Sequence, residues 1–157
     1  MTSYTVHVSG IPAPQGSKRA YIIPAKGPRK ARANLVESSS AVKPWRAAVV
    51  RDWTAAGHPP APGAVTVAID FRLPRPKAHY GTGRNAGKIR AAFRRIWHVK
   101  KPDLDKLVRS TLDGLTTAGA YLDDSVVVAL SVWKEYVEDG EEPGARVVVF
   151  HMQERTL

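Results

Sequence analysis

Apolar and polar residues alternate in Tyr4-Thr5-Val6-His7-Val8, which predicts a strand over residues 3–9. Residues 10–40 keep no period and carry Pro12, Pro14, Gly16, Pro24, Gly27 and Pro28, which predicts a loop. Trp45, Ala48, Val49 and Trp53 then recur at helical spacing within 41–56, and Gly57-His58-Pro59-Pro60 is a stop signal. Residues 64–73 place Val65, Val67, Ile69, Phe71 and Leu73 on one side, the clearest strand of the chain. A second aperiodic stretch, with Pro74, Pro76, Gly81, Gly83 and Gly87, runs to Lys101. Leu104, Leu107, Val108, Thr111, Leu112, Leu115 and Ala118 form one apolar face of a helix, with Asp103 suited to cap its start and Gly119 its end. Residues 126–138 predict a long strand. Asp139 to Gly144 form a polar turn, and 145–152 are expected to return as a hairpin partner. The order β-α-β-α-β-β predicts an α+β fold: a small mixed sheet with two helices on one face and long basic loops. No repeat or linker is visible, so residues 1–157 are expected to form a single domain. Trp45, Trp53 and Trp133 read mostly as core, whereas Trp97 is the one suited to stacking on a base.

Composition narrows the function. The chain has 157 residues and no Cys, which excludes a disulfide framework, a thiolate metal site and a cysteine nucleophile. No run approaches the ~18 apolar residues of a membrane helix, and the first ten residues lack a signal-peptide core. A cytoplasmic location is therefore the expectation. The formal charge of +10 makes a polyanion the first partner to consider.

The charge is segregated. Residues 18–51 hold nine Lys or Arg against one acid, and residues 72–101 hold ten against none. Ten of the fourteen acids then fall between Asp103 and Glu142, a gathering that a uniformly basic packaging protein does not need. Long loops in compact domains are uncommon unless functional or disordered. Basic loops with interspersed Tyr21, Tyr80 and Trp97 suit phosphate contact. The candidate DNA-binding cations are Lys18, Arg19, Lys26, Arg29, Lys30, Arg32, Arg75, Lys77, Arg84, Lys88, Arg90, Arg94, Arg95, Lys100 and Lys101.

Chemistry concentrates in Lys101-Pro102-Asp103-Leu104-Asp105-Lys106-Leu107-Val108-Arg109 and in Tyr121-Leu122-Asp123-Asp124. Asp103 and Asp105 fall at a helix start, where negative charge is favoured. Crowded carboxylates repel unless a cation joins them. Oxygen ligands without Cys or a His cluster point to Mg²⁺, with Mn²⁺ able to substitute, rather than to Zn²⁺. Taken singly, Asp103 reads equally as a helix cap, and Asp123-Asp124 as an ordinary turn.

The string PDLDKLVRSTLDGLTTAGAYLDDSVV, residues 102–127, resembles the signature of the RusA-type Holliday junction resolvases, crossover junction endodeoxyribonucleases usually encoded by phages or prophages. The string Pro12-Ala13-Pro14-Gln15-Gly16-Ser17-Lys18 after the first strand is similar to many members. The resemblance implies a metal-dependent homodimer that nicks branched DNA in recombination, repair or phage DNA processing. It implies that Asp103, Asp105 and Asp124 are essential metal ligands, with Asp123 the neighbouring acid. Asp113 matches a mid-helix Asp better suited to a structural hydrogen bond. Two positions depart from the pattern. The family's Asn is Lys106 here, and its functional Lys is Arg109. Arginine does not give up a proton near neutral pH, so electrostatic positioning is the role expected of Arg109, with Lys106 as a substitute. The bland reading of both is an ion pair with Asp105 or an ordinary surface charge.

A helix from Leu104 to Ala118 is about 22 Å long, and the few residues after it can barely double back that far. Asp124 is therefore expected to meet Asp103 and Asp105 across a dimer, from the other subunit. His98, just before the acidic string, is a candidate to reach the site. The alternative to an enzyme is a non-catalytic basic DNA-binding protein of phage origin, which has no need of the three carboxylates.

Overall fold

The computed structural model describes residues 2–16, 18–23, 32–37 and 40–152; for 18–23 and 32–37 only the backbone is described. Among the described residues there are six strands and two α-helices: β1 Thr2–Ser9, β2 Lys18–Ile23, β3 Arg32–Glu37, α1 Val42–Ala56, β4 Val65–Leu73, α2 Leu104–Thr117, β5 Val127–Tyr136 and β6 Gly144–His151. Short 3₁₀ turns punctuate the basic segment at 77–79, 83–85 and 91–93, and another covers 124–126. The fold is α+β.

The main sheet has the order β1-β6-β4-β5, mixed because β4 is parallel to β5 and antiparallel to β6. Val65, Val67, Ile69, Phe71 and Leu73 of β4 are all buried on the face that carries the helices. Val6 and Val8 of β1 and Val147 and Val149 of β6 join them across the ladders. Trp45, Val49 and Trp53 of α1 and Leu107 and Leu115 of α2 close the core from above. Burying one such side chain is worth about 1.5–3 kcal/mol, so this layer holds the helices without help from their caps. The two helices touch at Gly114, where a Cβ would stand 2.9 Å from Val49 Cβ. Trp45 Nε1 donates to Thr111 Oγ1 at 3.0 Å, which satisfies the buried indole and fixes the register of α1 on α2.

Three expectations are corrected. Residues 10–40 are not one loop, since β2 and β3 pair antiparallel within them from Lys18↔Glu37 to Ile23↔Arg32. Their apolar residues come in clusters, Tyr21-Ile22-Ile23 and Leu35-Val36, so no two-residue period announces them. Second, β6 is not a hairpin partner of β5. It enters between β1 and β4, and residues 137–143 pass over the end of β4. Val137 N–H donates to the Leu73 carbonyl at 3.0 Å, and Arg72 pairs with both Glu135 and Glu141 to hold that crossing. The continuous apolar run Val147-Val148-Val149, buried on both faces, belongs to an interior strand. Third, Trp133 is not core. It stands 57% exposed on the edge strand β5, on the sheet face opposite the helices, because its ladder partner in β4 is Asp70.

Candidate active site

The two ends of α2 carry the acidic residues, and they are built differently. At the start, Asp103 holds the N-cap position with extended backbone, yet its side chain makes no capping bond. Its carboxylate turns to Lys106 Nζ at 3.0 Å instead. Asp103 thus takes the cap position expected of it, while its side chain is not spent on capping. The Lys106 hydrogen bond, then the Lys106 charge, with lesser help from Lys101 and Lys134, holds the Asp103 carboxyl below the usual range. Asp105 is exposed in the first turn, and among the described residues it has no hydrogen-bond or ion-pair partner. Arg109 is likewise exposed and does not pair with Asp105.

Backbone contacts fix this end tightly. Ser110 Oγ donates to the Ala13 carbonyl at 2.6 Å, and Gln15 N–H donates to the Lys106 carbonyl at 3.0 Å. The Pro12–Gly16 string is thereby laid along the first turns of α2. On the other side, Lys134 Nζ donates to the carbonyls of Lys100 and Pro102, each at 2.8 Å. Lys134 was not a candidate on sequence. The signal for it is the inward position it shares with Val132 and Tyr136, where a cation breaks the pattern.

At the far end, Asp123 Oδ1 accepts from Ser125 N–H at 2.9 Å, so this carboxylate caps the 124–126 turn and is held below the usual range by Ser125. Asp124 is exposed beside it. The buried Tyr121 phenol lies near the Leu112 carbonyl at 3.4 Å. Burial pushes its pKa up, and the charges of Asp124, Asp113 and Asp123 add to the rise. Asp113 is bound by Arg46 at 2.7 Å, the structural role expected for it.

The fourteen residues of α2 span about 21 Å. Asp124 follows one end while Asp103 and Asp105 stand at the other. Among the described residues no three His, Asp or Glu side chains come close enough to hold a metal ion.

The cationic candidates divide. Lys77, Arg84, Lys88, Arg90, Arg94, Arg95, Lys100 and Lys101 are exposed. Lys88, Arg90 and Arg94 line an open cavity of about 560 Å³ together with Tyr80. Arg94 also pairs with Asp139 at 3.1 Å. Arg75 is a correction: its side chain is 1% exposed, and its guanidinium donates to the carbonyls of Val137 and Phe93, both at 2.7 Å. It lies over the Tyr136 ring and ties the basic segment to the sheet. No phosphate reaches a guanidinium so enclosed. Lys18, Arg19 and Arg32 fall in β2 and β3, whose side chains are outside the description. Lys26, Arg29 and Lys30 lie outside the described residues.

His98 does not face the carboxylates. Its ring packs against Tyr136 at 4.3 Å, and His79 stacks on Phe93 at 4.3 Å from the other side of the same cluster. Burial lowers both imidazoles below their ordinary value. Pinned by His98, the chain exposes Trp97 and Val99 on either side.

The fold and surface define a class: an α+β protein whose helix-end carboxylates sit among exposed cations. The model of a known family, Endodeoxyribonuclease RusA, matches residues 12–149. The chain therefore belongs to the RusA endodeoxyribonuclease family, a family that acts on branched DNA. Among curated proteins compared with the chain, none matches. No helix is long and apolar enough to cross a membrane among the described residues.

Proposed function

We propose that this protein is a Mg²⁺-dependent nuclease that resolves Holliday junctions and related branched DNA by paired nicks, acting as a homodimer. One observation carries the reading: within a RusA-family chain, Asp103 and Asp105 stand exposed at a helix start, and neither is spent on capping. Asp103 is held ionised by Lys106. All-oxygen donors suit a hard cation, and Mg²⁺ commonly takes one or two carboxylates plus substrate phosphate and water. When bound, such an ion supplies activation of a water and neutralisation of charge on the phosphoryl group. Asp103 and Asp105 would hold it, with Asp124 of a second copy completing the set.

The other residues have distinct tasks. Arg109, one turn beyond Asp105 and without an ion pair among the described residues, is placed to attract the scissile phosphate. Lys106 competes for Asp103 and would exchange that contact for a phosphate when DNA arrives. Cations from Lys77 to Lys101 would track the junction arms, and exposed Trp97 would stack at unpaired bases. Two subunits related by a dyad suit a junction of approximate two-fold symmetry. The work fits recombination, repair or phage DNA processing in a cytoplasm.

A synthetic four-way junction and a matched linear duplex, each with and without Mg²⁺, test this. Wild type should nick the junction only with metal, and D105N should bind it without nicking. A non-catalytic DNA-binding role is the second reading, favoured by the absence of a three-carboxylate cluster within one chain among the described residues. Binding by wild type with no nicking in Mg²⁺ or Mn²⁺ would establish it.

A further inference from the structure

We propose that Lys134 is a positioning residue for the nuclease reaction, fixing the backbone from which Asp103 and Asp105 project. The inference rests on the reading just given. Lys134 lies on β5 opposite Phe71 of β4, on the helix-facing side of the sheet between Val132 and Tyr136. An apolar residue is the ordinary choice there. The ammonium instead donates to the carbonyls of Lys100 and Pro102, both at 2.8 Å, so it grips the chain on the two residues that bracket Lys101 and end immediately before Asp103. From the helix side, Leu107 N–H donates to the Asp103 carbonyl at 3.2 Å, and Gln15 N–H holds the Lys106 carbonyl.

The acidic segment is thus fixed from both directions, by the helix behind it and by the sheet through one side chain. At the sheet end Lys134 spans two carbonyls, those on either side of Lys101, and the His98 ring adds a contact to the Lys100 backbone. Lys134 is also a charge near Asp103 that does not compete for its carboxylate. Lys106 takes the carboxylate oxygen, whereas Lys134 takes carbonyls and leaves the ligand atoms free. Groups that hold metal ligands from behind commonly affect metal affinity or activity by 10–100-fold.

The test uses the full chain as wild type, K134M and K134R. Arginine keeps two or more donors and the charge; methionine keeps the stem alone. Three quantities are measured: exchange of the Leu107 amide, Mn²⁺ affinity in the presence of uncleaved junction, and nicking rate at saturating Mn²⁺. K134M should speed Leu107 exchange about 10-fold, the scale of losing hydrogen bonds from a charged donor. It should weaken Mn²⁺ binding at least about 10-fold, leave junction affinity without metal within about 2-fold, and be rescued by K134R. Unchanged Leu107 exchange in K134M overturns the proposal whatever the activity. Faster exchange with wild-type Mn²⁺ affinity and rate overturns it too, since Lys134 would then serve the fold alone. If K134M does not stay folded, K134L, which also lacks a donor, carries the same comparison. Failure of the nuclease reading is separate: there wild type itself neither binds Mn²⁺ nor nicks, and the catalytic part of the proposal falls with it.

Discussion

The start of α2 and the stretch just after its end each present two carboxylates, Asp103 with Asp105 and Asp123 with Asp124. Their surroundings differ. At the start the carboxylates sit among Lys101, Lys106 and Lys134, and backbone is held by contacts from β5 and from the Pro12–Gly16 string. At the end, Asp123 is consumed in a turn, Asp113 is taken by Arg46, and only Asp124 is left with no hydrogen bond or ion pair among the described residues. One end is therefore equipped to present two ligands and the other to present one. The lesson is that equal acidic composition does not make equal sites, because local hydrogen bonds decide which oxygens remain for something else.

The sharpest way to break the comparison is to disable one end at a time. D105N and D124N should each lower junction nicking by more than about 100-fold, the several kcal/mol that a misplaced metal site forfeits. D103N and D124N mixed as heterodimers should recover one working site, read as single-strand nicking of the junction. Heterodimers that form but stay inactive would show that the two ends of α2 do not meet across subunits.

A change where α2 packs on α1 should disturb the helix itself. Gly114→Val forces side-chain atoms onto Val49 and should cost about 1–3 kcal/mol of stability in urea unfolding. Wild-type stability in that variant would mean α1 is free to move off α2.

Titration separates the carboxylates from the aromatic clasp around Tyr136. His79 and His98 are held below the ordinary imidazole value by burial. The unfolded chain then binds more protons than the folded one just below about pH 6.5, so their contribution is full above that pH and is lost as pH falls. Asp103 and Asp123 are depressed carboxyls, and their contribution is lost only below about pH 4. Unfolding free energy should therefore fall in two steps on acidification, and the double variant H79F/H98F should flatten the upper one.

The smallest effect concerns the cations. R84A and K88A should each reduce the salt slope of DNA binding by up to about 0.9, whereas R75A should leave the slope unchanged and lower stability, because its guanidinium is bound to backbone. An altered slope in R75A would place that residue on DNA after all.

Much of this was legible from residue order. The helical face from Leu104 to Leu115 and the five inward residues of β4 follow from periods of 3.6 and 2, which are properties of the local backbone. The long string from Pro102 to Asp124 carried the family. Strand order was not legible, since β5 and β6 are neighbours in sequence with a polar turn between them, and a hairpin is the short-range reading. What places β6 between β1 and β4 is burial on both faces of Val147-Val148-Val149, a demand that only the assembled sheet satisfies. Arg75 and Arg84 are alike as letters; one is clasped by Val137 and Phe93 carbonyls and the other faces water.

The amino-acid sequence by itself determined the two helices and the strands of the main sheet, the segregation of charge and the identity of the acidic string, because each depends on residues a few positions apart. Only the tertiary structure decided that the Asp103 side chain turns to Lys106 and makes no capping bond, that Arg75 and His98 turn inward, and that Lys134 reaches the backbone before α2. Those outcomes depend on which groups from distant strands compete for the same donor or carbonyl, and that competition exists only once the sheet and helices are packed together.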